Sequence, residues 1–124
     1  GEFIYLKGVG STVLGSAVTY NADDFTTTLL VADAIGPVAV AMSACDAVTK
    51  GGWYQISGKG VVKAGTVADN GNVYATATPG VVDDAVVAGD RVKNAKFASA
   101  NGTPSAGLAE IEISRPFMDD GVAA

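Results

Sequence analysis

The chain of 124 residues has the length of one domain, and 48% hydrophobic against 17% charged residues excludes a disordered segment. It contains no histidine, which excludes histidine-based acid–base catalysis and zinc sites that need imidazole. The net charge is −5, with 8 Lys and Arg against 13 Asp and Glu. This balance argues against nucleic-acid binding through phosphate neutralisation and favours partners with basic patches.

The residue types predict an all-β protein with many turns. The chain has 21 Ala, 17 Val and 16 Gly, and its Val, Ile and Thr residues number 32. Leu, Met, Glu, Gln and Arg, which include most of the good helix formers, number only 13. β-Branched side chains are stiff at χ1 and favour strands, so strands should dominate.

The N-terminal segment, residues 1–12, is expected to be an extended arm or an edge strand. Its apolar cluster is predicted to contact a partner or a neighbouring subunit, because a free tail has no reason to expose it. Removal of residues 1–10 should then leave the rest folded. This apolar cluster consists of Phe3, Ile4, Tyr5 and Leu6.

The first seven residues lack a basic stretch followed by an apolar one, so no cleavable export signal is expected.

The first half of the remaining chain predicts three strands. Residues 35–43 are apolar on both alternating sides, with Val38, Val40 and Met42 on one side and Ala39 and Ala41 on the other. This pattern implies burial on both faces or tight packing. The other two strands should cover residues 13–20 and 25–31, separated by a turn at residues 21–24, and residues 44–50 could form one helical turn.

The second half predicts further strands joined by turns. Residues 108–114 alternate cleanly between inward Ala or Ile and outward Glu or Ser, which is typical of a half-buried antiparallel strand ending at Arg115-Pro116. Asn70-Gly71 is a strong hairpin signal. Strands are expected at 53–64, 72–78 and 91–99, with a short return strand at 81–82, turns at 78–80 and 88–90, and a loop at 101–105.

These short strands, with turns every 8–12 residues, predict a small antiparallel β-barrel or a β-tulip or sandwich. The domain should span residues 13–116, between the arm at 1–12 and a polar tail at 117–124. The longest charge-free apolar stretch, Ala34 to Cys45, has 12 residues and is too short to span a membrane.

Candidate reactive groups are better explained as structural residues. The pairs Asp23-Asp24, Asp83-Asp84 and Asp119-Asp120 could serve a glycosidase or bind Ca²⁺, but adjacent strand residues point to opposite faces, and solvated turns fit better. Cys45 has no histidine to activate it, and a single cysteine cannot form an internal disulfide. The segment Ser57-Gly58-Lys59-Gly60 does not match the spacing of a phosphate-binding loop. Lys59 is therefore expected to be a surface charge.

Aromatic residues give the one binding alternative. Trp53, Tyr54, Tyr20 and Tyr74 could form a platform on which a sugar stacks, although strand aromatics more often belong to a core or an interface. Asn101-Gly102-Thr103 matches a glycosylation acceptor, but outside a secretory context it is only a loop. No catalytic, cofactor-binding or metal-binding residues are predicted, and the protein is not expected to be an enzyme.

The segment from Gly71 to Val82, Gly-Asn-Val-Tyr-Ala-Thr-Ala-Thr-Pro-Gly-Val-Val, resembles capsid decoration (cement) proteins of tailed phages. The Gly-rich strand before it, at residues 53–63, and the Ala-Gly-Asp turn after it fit that resemblance. The closing alternating strand at 108–114 fits as well. Residues 15–20 and 35–41 also look like small phage head proteins of this type.

The resemblance implies a small β-barrel that assembles as a homotrimer or dimer. Its partner would be the major capsid protein, and it would sit on the outer surface of the virion after synthesis in the host cytoplasm. It implies no cofactor, no nucleic acid and no membrane. Contact with the capsid or a neighbouring subunit is then expected from Phe3, Ile4, Tyr5, Leu6, Trp53 and Tyr54. The alternative from another class is a carbohydrate- or receptor-binding module.

Overall fold

The computed structural model describes residues 2–21, 23–31, 34–44, 47, 49–85, 90–102 and 106–118. Over these residues the chain forms one antiparallel sheet of nine strands, curled into a half-barrel, and no helix. The predicted all-β class and the small barrel-like architecture are therefore confirmed.

The strands follow one another with short connections. They are β1 (Glu2–Lys7), β2 (Ala17–Tyr20), β3 (Thr27–Leu29), β4 (Gly36–Ala41), β5 (Gly51–Lys63), β6 (Asn72–Ala75), β7 (Val82–Asp83), β8 (Arg91–Phe97) and β9 (Leu108–Met118). Across the sheet the order is β3-β2-β4-β5-β9-β8-β6-β7, with β1 added to β5 and a further β4–β9 pairing. The 13-residue strand β5 is the longest and has three partners, β1, β4 and β9.

The sheet buries apolar side chains on both of its faces. Along β4, Val38 and Val40 join the larger cluster while Ala39 and Ala41 join the smaller one, so the predicted two-sided burial is confirmed. The larger cluster fills the half-barrel with Val, Ala and Ile from most strands. The smaller cluster is built by Leu6, Val18, Ala39, Ala41 and Tyr54, with Ile4, Tyr20, Leu29 and Ile56 packed against it.

Strand β9 shows the predicted alternation but does not end where the sequence suggests. Ala109, Ile111 and Ile113 are buried, while Glu112 and Ser114 are exposed. The expected stop at Arg115-Pro116 is wrong, because the strand continues to Met118. Arg115 takes a positive φ of 48°, which lets the strand change partner from β5 to β4 instead of ending.

Asn70-Gly71 forms a turn but not the predicted hairpin. Asn70 has a φ of 65°, and the Gly71 N–H donates to the Ala68 carbonyl at 3.1 Å. However, β6 pairs with β7 and β8 rather than with β5. Both edges at the end of β5 are already occupied, because Lys63 pairs with Leu108 and its N–H donates to the Gly15 carbonyl.

The other boundaries shift for local reasons. Strand β2 begins at Ala17 because residues 13–16 form a turn, in which the Ser16 N–H donates to the Val13 carbonyl at 3.0 Å. No helix occurs in the described part of residues 44–50, where one turn brings the Lys50 N–H to the Ala47 carbonyl. The predicted turn at 88–90, the loop at 101–105 and the tail from 119 lie wholly or partly outside the described residues, as does Cys45.

The N-terminal segment is an edge strand, the second of its two predicted forms. In the β1–β5 ladder Ile4 lies opposite Tyr54 and Leu6 opposite Gly52. Leu6 is fully buried in the smaller cluster. Residues 2–7 are therefore paired into the same sheet as the later strands. Residues 117–118, assigned to the tail, also belong to the sheet.

Candidate interaction surface

The six residues predicted to make contacts all lie on the β1–β5 ladder, but they point in two directions. Side chains alternate along a strand, and directly opposed residues share a face. Ile4, Leu6 and Tyr54 point to the smaller cluster, and Phe3, Tyr5 and Trp53 point to the other face. The six residues thus share one ladder, but the sequence pattern did not separate its two faces.

Burial corrects two members of the predicted contact set. Leu6 and Tyr54 are both 0% exposed and pack inside the smaller cluster. Their side chains have no surface to offer a partner, so their role is to hold β1 on β5. Ile4 is half-buried against the same cluster, while Phe3, Tyr5 and Trp53 keep large exposed surfaces.

Tyr5 and Trp53 form an exposed aromatic pair. Their ring centroids are 5.3 Å apart and their planes meet at 80°, an edge-to-face arrangement, with each residue 56% exposed. The tyrosine ring lies over Gly51, where a β-carbon would meet the ring Cε1 at 2.5 Å. Gly51 therefore provides the space in which the Tyr5 ring packs down on the sheet.

The four aromatic residues considered as a sugar platform do not share one exposed surface, and two of them are core residues, as strand aromatics more often are. Tyr54 and Tyr74 are buried and Tyr20 is half-buried against the smaller cluster, so Trp53 is the sole exposed member of that set. Tyr5, which was not part of the predicted platform, is the aromatic residue that the fold places beside Trp53.

An apolar groove of about 330 Å³ lies beside this pair. Val61 from β5 and Leu108 from β9 form part of its wall. Lys59 stands at its rim, 3.4 Å from the Glu110 carboxylate, which confirms the expectation of a surface charge. The full lining is Phe3, Leu14, Met42, Gln55, Lys59, Gly60, Val61 and Leu108.

Sequence reasoning missed the groove because its walls come from separate segments of the chain. Leu14 and Met42 are both exposed large hydrophobic residues. Leu14 was assigned to a strand and instead lies in the turn before β2, while Met42 follows the end of β4. No periodicity connects these positions, so only the tertiary fold brings them together.

The groove floor is fixed by a bend in β5. The Gln55 Nε2 donates to the carbonyls of Ser57 and Lys59, both at 3.1 Å, and Gln55 is only 3% exposed. Gly58 has a φ of 100°, and a β-carbon on Gly60 would lie 2.1 Å from the Gln55 Oε1. The side chain of Gln55 thus ties the bend together, and the glycines make room for it.

The carboxylate pairs in the described residues organise turns. The Asp24 Oδ1 accepts hydrogen bonds from the Thr26 hydroxyl and N–H, and these hold the pKa of its carboxyl below the usual value. Asp83 and Asp84 accept the backbone N–H groups of Ala85 and Ala68. These contacts agree with the structural interpretation of the pairs. The pair at 119–120 lies outside the described residues.

Two other candidate groups have structural explanations. Burial raises the pKa of Tyr20, and the nearby Arg115 guanidinium offsets part of that shift. Asn101 uses its side-chain amide internally, because Nδ2 donates to the carbonyls of Ala64 and Gly65 at 2.8 Å. Neither arrangement resembles an acid–base pair or an activated nucleophile.

The described residues contain no side-chain cluster suited to a metal ion and no helix suited to crossing a membrane. No group of three or more Cys, Asp or Glu side chains comes together there in a way that could hold a metal ion. None of the described segments forms a helix with the length and apolarity needed to cross a membrane.

Comparison with known proteins adds no assignment. No protein-family model matches the chain, and no curated protein is similar to it.

Proposed function

We propose that this chain is a structural protein that decorates a phage capsid, binding the outside of the shell through the apolar groove beside β1 and β5. The observation that carries the proposal is the groove itself. It is lined on several sides by exposed apolar side chains, including Leu14 and Met42, on a sheet whose bend is fixed by Gln55. Apolar surface grouped in this way is typical of a site where another protein docks.

The proposed partner, the major capsid protein, rests on the resemblance seen in the sequence. The segment 71–82 resembles decoration proteins of tailed phages, and those proteins bind the major capsid protein. In the structure this segment forms β6, the turn that follows it and the first residue of β7, at one end of the strand order, whereas β1 pairs with β5 in the middle of that order. The resemblance therefore concerns strands of the sheet that lie away from the groove, while the groove provides the surface on which the shell would dock.

The mechanism that fits is multivalent bridging of the assembled lattice. One groove of this size makes a modest contact, but an oligomer that engages several capsid subunits gains from effective concentration. A protein that binds only the assembled shell stabilises that state by mass action. The contribution to the particle is then mechanical and requires no chemical reaction.

Particle binding tests the groove directly. Leu14, 50% exposed, is replaced by glutamate, and Ile35→Glu serves as the matched control because Ile35 is exposed and lies outside the groove. We expect Leu14→Glu to lower occupancy on stripped particles at least tenfold, because a buried unpaired carboxylate is strongly unfavourable. Ile35→Glu should bind like the parent chain. Equal binding by both variants would contradict a docking role for the groove.

Thermal release of DNA tests the stabilising role. Particles stripped of the protein should release DNA at a lower temperature than decorated ones, and adding back the parent chain should restore the difference while Leu14→Glu should not. Release is followed with a DNA-binding dye. Identical release curves for stripped and decorated particles would show that the protein does not stabilise the shell.

A second candidate function, carbohydrate binding, is favoured by the exposed Tyr5–Trp53 pair. Trp53 is the single tryptophan of the chain, so sugar stacking on its ring should change the fluorescence directly. A glycan array followed by titration separates the two functions. If the chain is a sugar-binding module, specific glycans quench the fluorescence and Trp53→Ala abolishes binding, with no association to particles. If it is a decoration protein, we expect no specific glycan and an unchanged fluorescence.

A further inference from the structure

Strand β1 has an outer edge that the described residues cover only at Lys7. Its inner edge is bonded to β5, where the Gly8 N–H donates to the Lys50 carbonyl at 2.7 Å. Backbone groups alternate between the two edges of a strand. Leu6 and Ile4 therefore face β5 like Gly8, while Lys7, Tyr5 and Phe3 direct their N–H and C=O groups to the outside.

A second set of contacts gives the same alternation of inward-facing and outward-facing residues along β1. The Lys7 N–H donates outward to the Phe25 carbonyl at 2.9 Å, and the Lys7 carbonyl accepts the Thr27 hydroxyl at 2.7 Å. Phe25, in the loop before β3, and Thr27, the first residue of β3, thus close the outer edge at Lys7, and no other described residue bonds the backbone along that edge. Phe3 and Tyr5 remain with four outward backbone groups, two donors and two acceptors.

This edge lacks the usual protection against pairing. Exposed edges in proteins are commonly blocked by charged side chains, proline or a bulge in the middle of the strand. Here the charges, Glu2 and Lys7, lie at the two ends, and the register shift lies between Glu2 and Phe3. The four central residues are apolar, and Phe3 and Tyr5 are exposed.

We infer that the β1 edge pairs with the β1 edge of a second copy, antiparallel and centred on Ile4. This register places Phe3 opposite Tyr5 of the other copy, and the two residues exchange both of their backbone hydrogen bonds. The two-fold axis repeats the exchange, so all four outward groups of each copy are satisfied. Ile4 then faces its own counterpart at the axis.

Neighbouring registers satisfy fewer of these groups. Moving the centre to Tyr5 sets Phe3 opposite Lys7, whose outward groups already bond Phe25 and Thr27. Moving it to Phe3 pairs Phe3 with its own counterpart and leaves Tyr5 without a partner among the described residues. A shift by a single residue is excluded by the symmetry, because it would place the two faces of the sheet out of phase.

The side chains suit the pairing as well as the backbone does. Trp53, Tyr5 and the second copy's Phe3 would lie side by side on one face, because Tyr5 already faces Trp53 across the ladder. Cross-strand aromatic pairs of this kind stabilise sheets. Of the two oligomers expected from the sequence, this edge builds the dimer. The dimer carries two grooves, as multivalent docking requires, yet its formation does not depend on the capsid proposal.

The register is tested with disulfides in a Cys45→Ser background, which removes the one native thiol. Ile4→Cys should link two copies under mild oxidation, because unbonded antiparallel pairs have Cα atoms about 4.5 Å apart, within disulfide range. Phe3→Cys is the matched control. In the paired strands the two Cα atoms at position 3 would lie about 8 Å apart, because each faces position 5 of the other copy. This variant should therefore link at least tenfold more slowly.

The role of the edge is tested with proline in sedimentation equilibrium. The parent chain should sediment as a concentration-dependent dimer. Phe3→Pro removes only an outward N–H, so each monomer keeps its β5 ladder, but the dimer loses two hydrogen bonds and its dissociation constant should rise roughly tenfold or more beyond that of Phe3→Ala. Circular dichroism confirms that each variant is folded.

Three results would overturn the inference. One is a parent chain that stays monomeric at every concentration and whose Ile4→Cys variant does not link. Another is a dimer in which Phe3→Cys links as fast as Ile4→Cys. The third is a dimer that Phe3→Pro weakens no more than Phe3→Ala does. Particle binding by a monomeric parent chain would assign the edge to the shell instead and would leave the capsid proposal standing.

Discussion

Replacing Leu6 by alanine is expected to lower the free energy of unfolding by about 3 kcal/mol, because removing a fully buried leucine side chain leaves a cavity. Leu6 is 0% exposed and packs with Tyr54 in the smaller cluster. For a domain of this size the change corresponds to a fall in the melting temperature of about 10 °C. Chemical denaturation measured by circular dichroism gives the value.

The control is Ile35→Ala, which also truncates an aliphatic side chain. Ile35 is 71% exposed, so its loss should change stability by less than about 0.5 kcal/mol. A free arm predicts that Leu6→Ala is as harmless as the control, and equal stabilities would restore that interpretation. Deleting residues 1–10 is now expected to destabilise the fold, contrary to the expectation from the sequence, because the deletion removes β1 and part of the smaller cluster.

Replacing Gly60 by alanine should destabilise the protein by about 2 kcal/mol, because the new methyl group displaces a buried, hydrogen-bonded amide. The β-carbon would lie 2.1 Å from the Gln55 Oε1 and 3.0 Å from its Cδ. Moving that side chain breaks its hydrogen bonds to Ser57 and Lys59, which hold the bend of β5. The groove should lose its shape together with the stability.

A double-mutant cycle identifies the cause. Gln55→Ala alone also costs stability, but the double variant Gln55→Ala with Gly60→Ala should cost about 1 kcal/mol less than the sum, since the clash and the hydrogen bonds disappear together. Gly10→Ala is the matched control, because nothing lies within 4 Å of its β-carbon. Strict additivity in the cycle, or an equal loss for Gly10→Ala, would refute the proposed clash.

The sequence was sufficient where a pattern acts locally. Alternation predicted the buried face of β9 from Ala109 to Ile113, and two-sided apolarity predicted that β4 separates two clusters. Turn residues behaved as expected at Asn21 and Asp23, where the Asn21 Oδ1 accepts the Asp23 N–H at 2.8 Å. These features depend on side chains within a few residues of one another, so a single strand or turn contains the information.

Local signals failed where a strand changes partners. Asn70-Gly71 carries the residues of a hairpin, and Arg115-Pro116 carries those of a strand end. In the fold, Asn70 makes its turn between β5 and β6, which do not pair with each other, and β9 passes from β5 to β4 at Arg115, which has a positive φ. Both outcomes were decided by which sheet edges were already occupied, and a short window of sequence does not contain that information.

The candidate surface likewise has features that the sequence determined and features that only the tertiary structure decided. The sequence by itself determined the class of fold, the absence of histidine chemistry and the apolar character of β1 and the start of β5. Only the tertiary structure decided that Leu6 and Tyr54 are buried while Phe3, Tyr5 and Trp53 are exposed. It also brought Leu14 and Met42 to one groove from separate segments. The physical reason is that both faces of this curled sheet bury side chains. An apolar residue is therefore expected to be buried on either face, but the sequence does not tell which part of each face is covered by other strands and which part is exposed to solvent.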